Sequence, residues 1–308
     1  MSGTWVVVPA FDEAENLEVL VPRILDHLDL IPGGGHVLVV DDGSRDSTPD
    51  VMAKLCADND RVHVDRSVRN RGKAAAMQRG FALAIDEGAT AIVMMDADGQ
   101  DDPAELPRLV ARLDDGFDLV TGARVERNDR FVKRHTSRLY NWATGRLSGA
   151  PGRDFNSGFK AMRPDVARDV SPMLYGELHR YVTVIAHWLG YRITEEPVQH
   201  HERMFGKSKY GIARFFRGFM DLMTVRFLMS YEHRPSHLFG GIGIVSFLLG
   251  GAVLAYLTVL RFLGQTIGDR PLLIAGVLLV VVGVQLLLFG LLAELVVYNR
   301  QRDGRTKP

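Results

Sequence analysis

The chain has 308 residues, enough for one large domain or two ordinary ones. Its 37 basic and 37 acidic residues cancel, which argues against nucleic acid as a partner. The cancellation hides a division, because residues 1–120 hold 23 acidic and 11 basic residues whereas residues 121–308 hold 14 and 26. An acidic front is therefore followed by a basic back.

From residue 4 onward, short apolar runs alternate with amphipathic stretches. The predicted strands are residues 5–8, 37–40, 62–64, 92–95 and 118–121, and the predicted helices include residues 16–28, 48–58 and 73–87. This alternation predicts an α/β fold with a doubly wound, mainly parallel sheet. Ligands of such sheets bind beyond the carboxyl ends of the strands.

Polar clusters follow the first, second and fourth predicted strands. They are Pro-Ala-Phe-Asp-Glu at 9–13, Asp-Asp-Gly-Ser at 41–44 and Asp-Ala-Asp-Gly-Gln-Asp-Asp at 96–102. Each cluster alone is typical of a turn or a helix cap. Together they indicate a binding site, because three acidic clusters at one edge repel one another unless a cation or hydrogen-bond donors lie among them.

The pair Asp96 and Asp98 predicts a cation site. Side chains at i and i+2 of an extended segment point to the same side, so both carboxylates can face one ion that in turn holds a diphosphate. Oxygen ligands suit Mg²⁺ or Mn²⁺ rather than zinc. The glycine motifs of dinucleotide-binding and P-loop enzymes are absent from the sequence, which argues against both classes. The adjacent His200 and His201 are interpreted as surface or interface residues.

Two uncharged stretches, residues 238–260 and 272–293, are long enough to cross a bilayer as helices. They predict an integral membrane protein with a transmembrane hairpin, whereas a pair of buried core helices is the alternative. Basic residues follow the second stretch at Arg300, Arg302, Arg305 and Lys307. The positive-inside rule therefore predicts a cytoplasmic tail and a cytoplasmic N-terminal domain.

Apolar and arginine residues interleave between residues 214 and 228, just before the hairpin. Their spacing predicts an amphipathic helix lying in the membrane interface, or a helix packed on the soluble domain or on another subunit. The expected organisation is a catalytic domain at 1–210, this helix at 211–235, the hairpin at 236–298 and a basic tail at 299–308.

Six ordered motifs carry a family resemblance. They are residues 9–16, 41–44, 70–73 (Asn-Arg-Gly-Lys), 96–100, 154–160 (Asp-Phe-Asn-Ser-Gly-Phe-Lys) and the basic loop 203–210. With the hairpin, they resemble inverting glycosyltransferase family 2, and within it the polyprenyl-phosphate branch of dolichyl-phosphate mannose synthase and bactoprenol glucosyltransferase. The resemblance covers nearly the whole chain.

The resemblance implies a GT-A fold and a metal-dependent, inverting transfer of one hexose from a nucleotide diphosphate sugar, with UDP-glucose or GDP-mannose expected, to a polyprenyl phosphate lipid at the cytosolic membrane face. By position, the implied nucleotide-binding residues are Pro9, Phe11, Glu13, Asp41, Asp42, Lys73, Asp96 and Ala97. The implied metal and diphosphate ligands are Asp96, Asp98 and Gln100. The implied catalytic residues are Asp98, Asp154, Arg203 and Lys209, of which the last two would close over the departing phosphates.

An acceptor-phosphate site is expected in the basic segment after the fifth strand, at Arg124, Arg134, Ser137 and Arg138. A solvated basic segment attracted to anionic lipid is the alternative for this region. Asp154 is expected either to contact the sugar or the nucleophile, or to act as a turn cap. Phe11 and Asp12 stand where the family often has Tyr and Asn, which leaves the nucleotide open.

Two rival functions are a processive polysaccharide synthase and a membrane-anchored nucleotide-sugar-binding protein without turnover. The first is disfavoured because the Gln-x-x-Arg-Trp motif of those enzymes is absent from the sequence and two membrane helices are few for a channel. The second is disfavoured because the acidic pair and the basic loop are both present. A homo-oligomer is a further expected form.

Overall fold

The structure is a computed structural model of the whole chain. It describes residues 3–124, 141–142, 144–146, 148–201, 220, 223–224, 235–267 and 271–305. The chain divides into two compact units, Met1–Arg226 and Phe227–Pro308.

Within the described residues, the first unit is built on a seven-stranded sheet in the order β3-β2-β1-β4-β6-β5-β7. Its strands are β1 (Gly3–Ala10), β2 (Gly35–Asp41), β3 (Val62–Arg66), β4 (Ala89–Met94), β5 (Leu119–Arg124), β6 (Lys160–Met162) and β7 (Ile193–Val198). All neighbouring pairs are parallel except those of β6, which runs antiparallel to β4 and β5. The carboxyl ends of β1, β2 and β4 therefore meet at one edge.

Helices cover both faces of this sheet. They are α1 (Ala14–Leu28), α2 (Thr48–Asp58), α3 (Lys73–Asp86), α4 (Leu106–Asp114), α5 (Pro164–Val170) and α6 (Val182–Trp188), with short 3₁₀ turns at Pro103–Glu105, Ser171–Met173 and Leu178–Tyr181. In α1 the buried residues recur at helical spacing, for example Leu17, Leu20, Ile24 and Leu28, so one stripe faces the sheet. The predicted α/β fold with a mainly parallel sheet is confirmed.

Two strands of this sheet were not predicted, β6 and β7. β6 has only three residues and begins at the last residue of the 154–160 motif, so no period of alternation marks it as a strand. Its antiparallel insertion matters for the site, because it places residues 154–160 between the end of β4 and the end of β5.

The second unit contains two long helices, α7 (Pro235–Phe262) and α8 (Pro271–Arg305). Within them, Phe239–Phe262 and Pro271–Val297 are apolar and long enough to cross a membrane, as the sequence predicts. The helices approach each other closely at glycines, since a Cβ atom added to Gly250 would lie 2.7 Å from the Gly276 carbonyl oxygen. α8 continues through most of the predicted basic tail.

Candidate active site

The loops after β1 and β2 are joined by hydrogen bonds at the carboxyl edge of the sheet. The Asp12 backbone N–H donates to Ser44 Oγ at 2.9 Å, and Ser44 Oγ donates to Asp41 Oδ1 at 2.5 Å. The Glu13 N–H donates to Thr48 Oγ1 at 3.0 Å, and the Arg45 N–H donates to Asp12 Oδ1 at 2.9 Å. Asp12 adopts a left-handed conformation, with φ of 56°. Two of the predicted nucleotide-binding segments are thus joined into one surface.

Asp41 is held by Ser44 through one carboxylate oxygen and forms an ion pair with Arg66 through the other. The side chain is fully buried, and Oδ1 accepts both the Ser44 N–H at 2.8 Å and the Ser44 hydroxyl. Oδ2 lies 3.2 Å from Arg66 Nε but accepts no hydrogen bond from the described part of the chain. Arg66 balances the charge of Oδ2, and a hydrogen bond from a ligand N–H or O–H would in addition satisfy it as an acceptor, which is the role predicted for Asp41.

Asp42 accepts hydrogen bonds from the protein backbone with both carboxylate oxygens. Its two carboxylate oxygens accept the backbone N–H groups of Arg71 at 2.9 Å and Gly72 at 2.6 Å. Gly72 has φ of 91°, a conformation that favours glycine. Asp42 therefore holds the loop that leads into α3 and sets the position of Lys73, the first residue of that helix.

Lys73 and Asp96 form an ion pair at the centre of this edge. Burial raises the pKa of Asp96, but the charge and hydrogen bond of Lys73 outweigh it, so the pKa lies below its ordinary value. Asp98 is half-buried on the same loop, and its Oδ1 accepts the Gln100 N–H at 3.2 Å. Asp96 is thus a carboxylate beside a cationic side chain, and Asp98 adds a second carboxylate on the same loop.

The two histidines interpreted as surface residues hold the acidic loop in place. His200 Nδ1 lies 3.3 Å from Asp101 Oδ1, and His201 Nε2 lies 2.9 Å from Asp102 Oδ2. The backbone N–H of His201 also donates to the Gln100 carbonyl oxygen at 2.8 Å. Burial raises the pKa of Asp101; the His200 hydrogen bond opposes this and the charge of Asp96 adds to it.

The donor set near Asp96 fits Mg²⁺ or Mn²⁺. No group of three His, Cys, Asp or Glu residues in the described ranges converges on one point. Mg²⁺ is commonly held by one or two carboxylates together with phosphate oxygens of the substrate and water. Asp96 and Asp98 match that pattern, and the Lys73 ammonium at Asp96 marks a position that favours positive charge.

Arg124 and Asp154 form a second, more buried centre. Arg124 Nε donates to Asp154 Oδ2 at 2.6 Å and its terminal nitrogen donates to Oδ1 at 2.8 Å, a bidentate pair in which the side chains are 17% and 7% exposed. Glu195 Oε1 accepts the backbone N–H groups of Arg153 at 2.6 Å and Asp154 at 2.9 Å. The sequence predicted both Arg124 and Asp154 at the site, but not that they pair.

Two residues of the 154–160 motif, not singled out from sequence, complete the centre. Lys160 is fully buried, and its ammonium donates to the Ser157 carbonyl oxygen. Gly158 lies against Asp96, since an added Cβ atom would be 2.8 Å from the Asp96 carboxylate atoms. A fully buried lysine and a close glycine contact become visible only when β6 is placed beside β4.

His179 is a further residue that the sequence did not indicate. Burial, together with the charges of Lys73 and Arg180, lowers its pKa to about 3, although the charge of Asp96 opposes the shift. The imidazole is therefore neutral at physiological pH. The charged partners show that the 3₁₀ turn Leu178–Tyr181 borders the same edge.

Some of the remaining predicted site residues lie in the described ranges, and the others lie outside them. Pro9, Phe11 and Ala97 lie at the ends of β1 and β4, beside the residues above. The predicted residues outside the described ranges are Arg134, Ser137, Arg138, Arg203 and Lys209. The predicted helix at 211–235 also lies outside them except for Met220, Met223, Thr224 and Pro235.

Comparison with known proteins gives a consistent result. The model of glycosyl transferase family 2 matches residues 5–171. Dodecaprenyl-phosphate galacturonate synthase of Rhizobium johnstonii is 36% identical over 308 residues, covering 97% of this chain and 88% of that protein. Undecaprenyl-phosphate 4-deoxy-4-formamido-L-arabinose transferase of Salmonella choleraesuis is 32% identical over 309 residues, covering 98% and 90%.

Solved structures support the fold. A mannosyltransferase from Pyrobaculum calidifontis, in complex with GDP-Man and Mn²⁺, has a TM-score of 0.53 at 20% identity, covering 74% of this chain and 64% of that one. Mannosyl-3-phosphoglycerate synthase from Rubrobacter xylanophilus has a TM-score of 0.53 at 16% identity, covering 75% of each chain. The expected GT-A-like fold is confirmed, and the chain belongs to glycosyl transferase family 2.

Proposed function

We propose that this chain transfers one sugar from a nucleotide diphosphate sugar to polyprenyl phosphate at the cytosolic face of a membrane. The observation that carries the proposal is the meeting of Asp41, Lys73, Asp96 and Asp98 at one sheet edge in a chain with an apolar helical hairpin. Relatives named as polyprenyl-phosphate sugar transferases match 97% and 98% of the chain, so the similarity includes the hairpin.

The nucleoside half of the donor is assigned to the surface formed by the loops after β1 and β2. Asp41 Oδ2 offers a buried acceptor for a base or ribose hydrogen, and Pro9, Phe11 and Glu13 border it. Asp42 acts indirectly, because its carboxylate is held by the loop before Lys73. Lys73 then lies where the diphosphate would follow the nucleoside.

A divalent cation would be held by Asp96 and Asp98, with Gln100 on the same loop. When bound, it supplies positive charge against the negative charge that develops on the leaving nucleoside diphosphate. Lys73 would exchange its contact with Asp96 for one with the diphosphate. Arg203 and Lys209 are proposed to cover the same phosphates, on the strength of the basic loop in the sequence.

The acceptor chemistry needs little proton transfer. A phosphate monoester has a second pKa of about 6, so it is mostly a dianion at neutral pH. One of its oxygens forms the new bond to the anomeric carbon while the bond from that carbon to the diphosphate oxygen breaks, which inverts the configuration in a single displacement. What the acceptor needs is positioning and charge neutralisation.

This chemistry assigns Arg124 and Asp154 a joint role. Because Asp154 is held in a bidentate pair, we assign it to orienting Arg124 rather than to removing a proton. Arg124 stands at the end of β5, where the basic segment with Arg134, Ser137 and Arg138 begins. These four residues are proposed to bind the acceptor phosphate.

The candidate donor sugars come from the family resemblance and from the names of the relatives. UDP-glucose and GDP-mannose are the donors expected from the family resemblance. The two relatives are named for galacturonate and for 4-deoxy-4-formamido-L-arabinose, so the donors tested should include the nucleotide forms of those sugars. Thermal stabilisation of the purified protein by each donor, with and without Mn²⁺, ranks them independently of turnover.

The transfer itself is tested with purified protein in detergent, a radiolabelled donor, Mg²⁺ or Mn²⁺ and polyprenyl phosphate. We expect label in the organic phase, none with excess EDTA, and none from Asp98→Asn at unchanged folding. Exposed Asp114→Asn serves as the matched control. Equal product in EDTA, or wild-type turnover by Asp98→Asn, would refute the metal assignment.

A further inference from the structure

Lys160 occupies a central position that the proposed chemistry does not use. It is the first residue of β6, and its backbone is paired with Met94 of β4 on one side and Thr121 of β5 on the other. β4 leads into the loop with Asp96, and β5 ends at Arg124. The lysine therefore stands between the two halves of the site.

The side chain is fully buried and surrounded by charge. Its ammonium donates to the Ser157 carbonyl oxygen. The charged groups near enough to act on its pKa are Asp154, Arg124, Lys73 and Asp96. Burial, together with the charges of Arg124 and Lys73, lowers the pKa to about 8 against the opposing charges of Asp154 and Asp96, so the group is mostly protonated at neutral pH.

The hydrogen bond to Ser157 connects Lys160 to Asp96. Ser157 and Gly158 lie in the bend that leads into β6, called here the Ser157–Gly158 turn, and Gly158 packs so closely on the Asp96 carboxylate that an added Cβ atom would lie 2.8 Å from it. Movement of this turn would remove that contact with Asp96. The buried charge of Lys160 is compensated by the Ser157 carbonyl oxygen and by the charges of Asp154 and Asp96, so the lysine is linked to both halves of the site.

We propose that Lys160 is a positioning residue of the transfer site, whose ammonium holds the Ser157–Gly158 turn against Asp96 and places positive charge between Asp96 and Asp154. The kinetic consequences of this role rest on the proposed function. The effect of Lys160 on the conformation of the Ser157–Gly158 turn does not, because it can be measured without catalysis.

Replacement by methionine separates positioning from stability. Met has a similar length and no charge, so Lys160→Met removes the hydrogen bond and the buried charge with little change in volume. We expect kcat to fall at least about tenfold while KM for the donor changes less than about threefold. The protein should remain folded at the assay temperature, because removal of the buried charge partly offsets the loss of its hydrogen bond and of its attraction to Asp154 and Asp96. Lys54→Met, at an exposed lysine of α2, is the control and should behave as wild type.

Hydrogen exchange provides the readout without substrate. In Lys160→Met, amide exchange of the peptide that covers residues 155–160 should quicken, whereas exchange in α1 should stay unchanged. Wild-type kcat, unchanged exchange in that peptide, or a melting temperature that falls in proportion to kcat would each overturn the inference. An inactive wild-type protein would instead refute the proposed function, and exchange would still test the turn.

Discussion

Gly158 lies directly against the Asp96 carboxylate, with space for a hydrogen but not for a methyl group. A Cβ atom there would be 2.8 Å from the carboxylate carbon, so Gly158→Ala must displace the Asp96 side chain from its ion pair with Lys73. We expect transfer activity to fall at least about tenfold, because small shifts of a positioning group have large effects on rate. Activity assays on the purified variant check this.

The control for Gly158→Ala is Gly145→Ala. Gly145 is helical, and its added Cβ atom would meet Phe155 at 3.5 Å, an ordinary contact. This variant should retain activity and gain a little stability from reduced chain entropy. Full activity in Gly158→Ala would show that the Asp96 position does not matter for transfer.

Lys73→Met should change cation binding and donor binding in opposite directions. The ammonium competes with a divalent ion for Asp96, so its removal should tighten Mn²⁺ binding about two- to fivefold in the absence of donor, the range expected for a partly exposed ion pair. The donor KM should rise because a diphosphate contact is lost. Titration of Mn²⁺ by electron paramagnetic resonance measures the first effect, and weaker Mn²⁺ binding would contradict it.

Asp41→Asn tests the role of Oδ2 of that side chain, the oxygen that forms the ion pair with Arg66. The change keeps the acceptor for the two Ser44 hydrogen bonds and replaces the other oxygen by an N–H₂ donor. A ligand donor would then face a protein donor, which should weaken nucleotide binding by about 1–3 kcal/mol. Calorimetry with UDP and GDP measures this loss. Unchanged affinity for both would place the base and ribose elsewhere.

The free energy of unfolding of the first unit should decrease at acidic pH because His36 becomes protonated. This side chain stacks on Trp5 at 4.8 Å, and its Nδ1 lies 3.1 Å from His63 Nε2. Burial and the charge of His63 lower the pKa of His36, so the unfolded chain binds a proton at a higher pH than the folded chain. Stability is complete above the ordinary pKa of about 6.5 and falls as the pH drops below it.

The measurement is the urea midpoint between about pH 7 and pH 5. His36→Gln should lessen the fall in the midpoint, whereas His237→Gln, in the second unit, should leave it as in wild type. An equal fall in wild type and His36→Gln would assign the acid sensitivity to other groups.

Local patterns of the sequence predicted the strands and the acidic strand ends well. Apolar runs mark β1 to β5, and the clusters containing Asp41 and Asp96 follow them directly. What could not be predicted depends on distant parts of the chain. Arg124 and Asp154 are 30 residues apart, and His201 reaches Asp102 across 99 residues. These contacts form because β6 and β7 pair with the other strands of the sheet. A strand of three residues such as β6 has too short an alternation of apolar and polar residues to be predicted from the sequence.

The division of charge along the sequence also has a partial structural basis. The acidic front contains Asp41, Asp96 and Asp98, which lie at the edge assigned to the donor. The basic back contributes Arg124 and Lys160, which lie beside Asp154 and between the two halves of the site. A zero net charge therefore conceals a site suited to two anionic substrates, one approached through a cation and the other met directly.

The central claim is that polyprenyl phosphate accepts the sugar. It is tested most directly by mass spectrometry of the extracted lipid after incubation with the stabilising donor, with polyprenol, which lacks the phosphate, as the matched acceptor. We predict a polyprenyl phosphate whose mass increases by one sugar residue and no product from polyprenol. Transfer to polyprenol, addition of several sugars, or no lipid product with any donor that binds would contradict the claim.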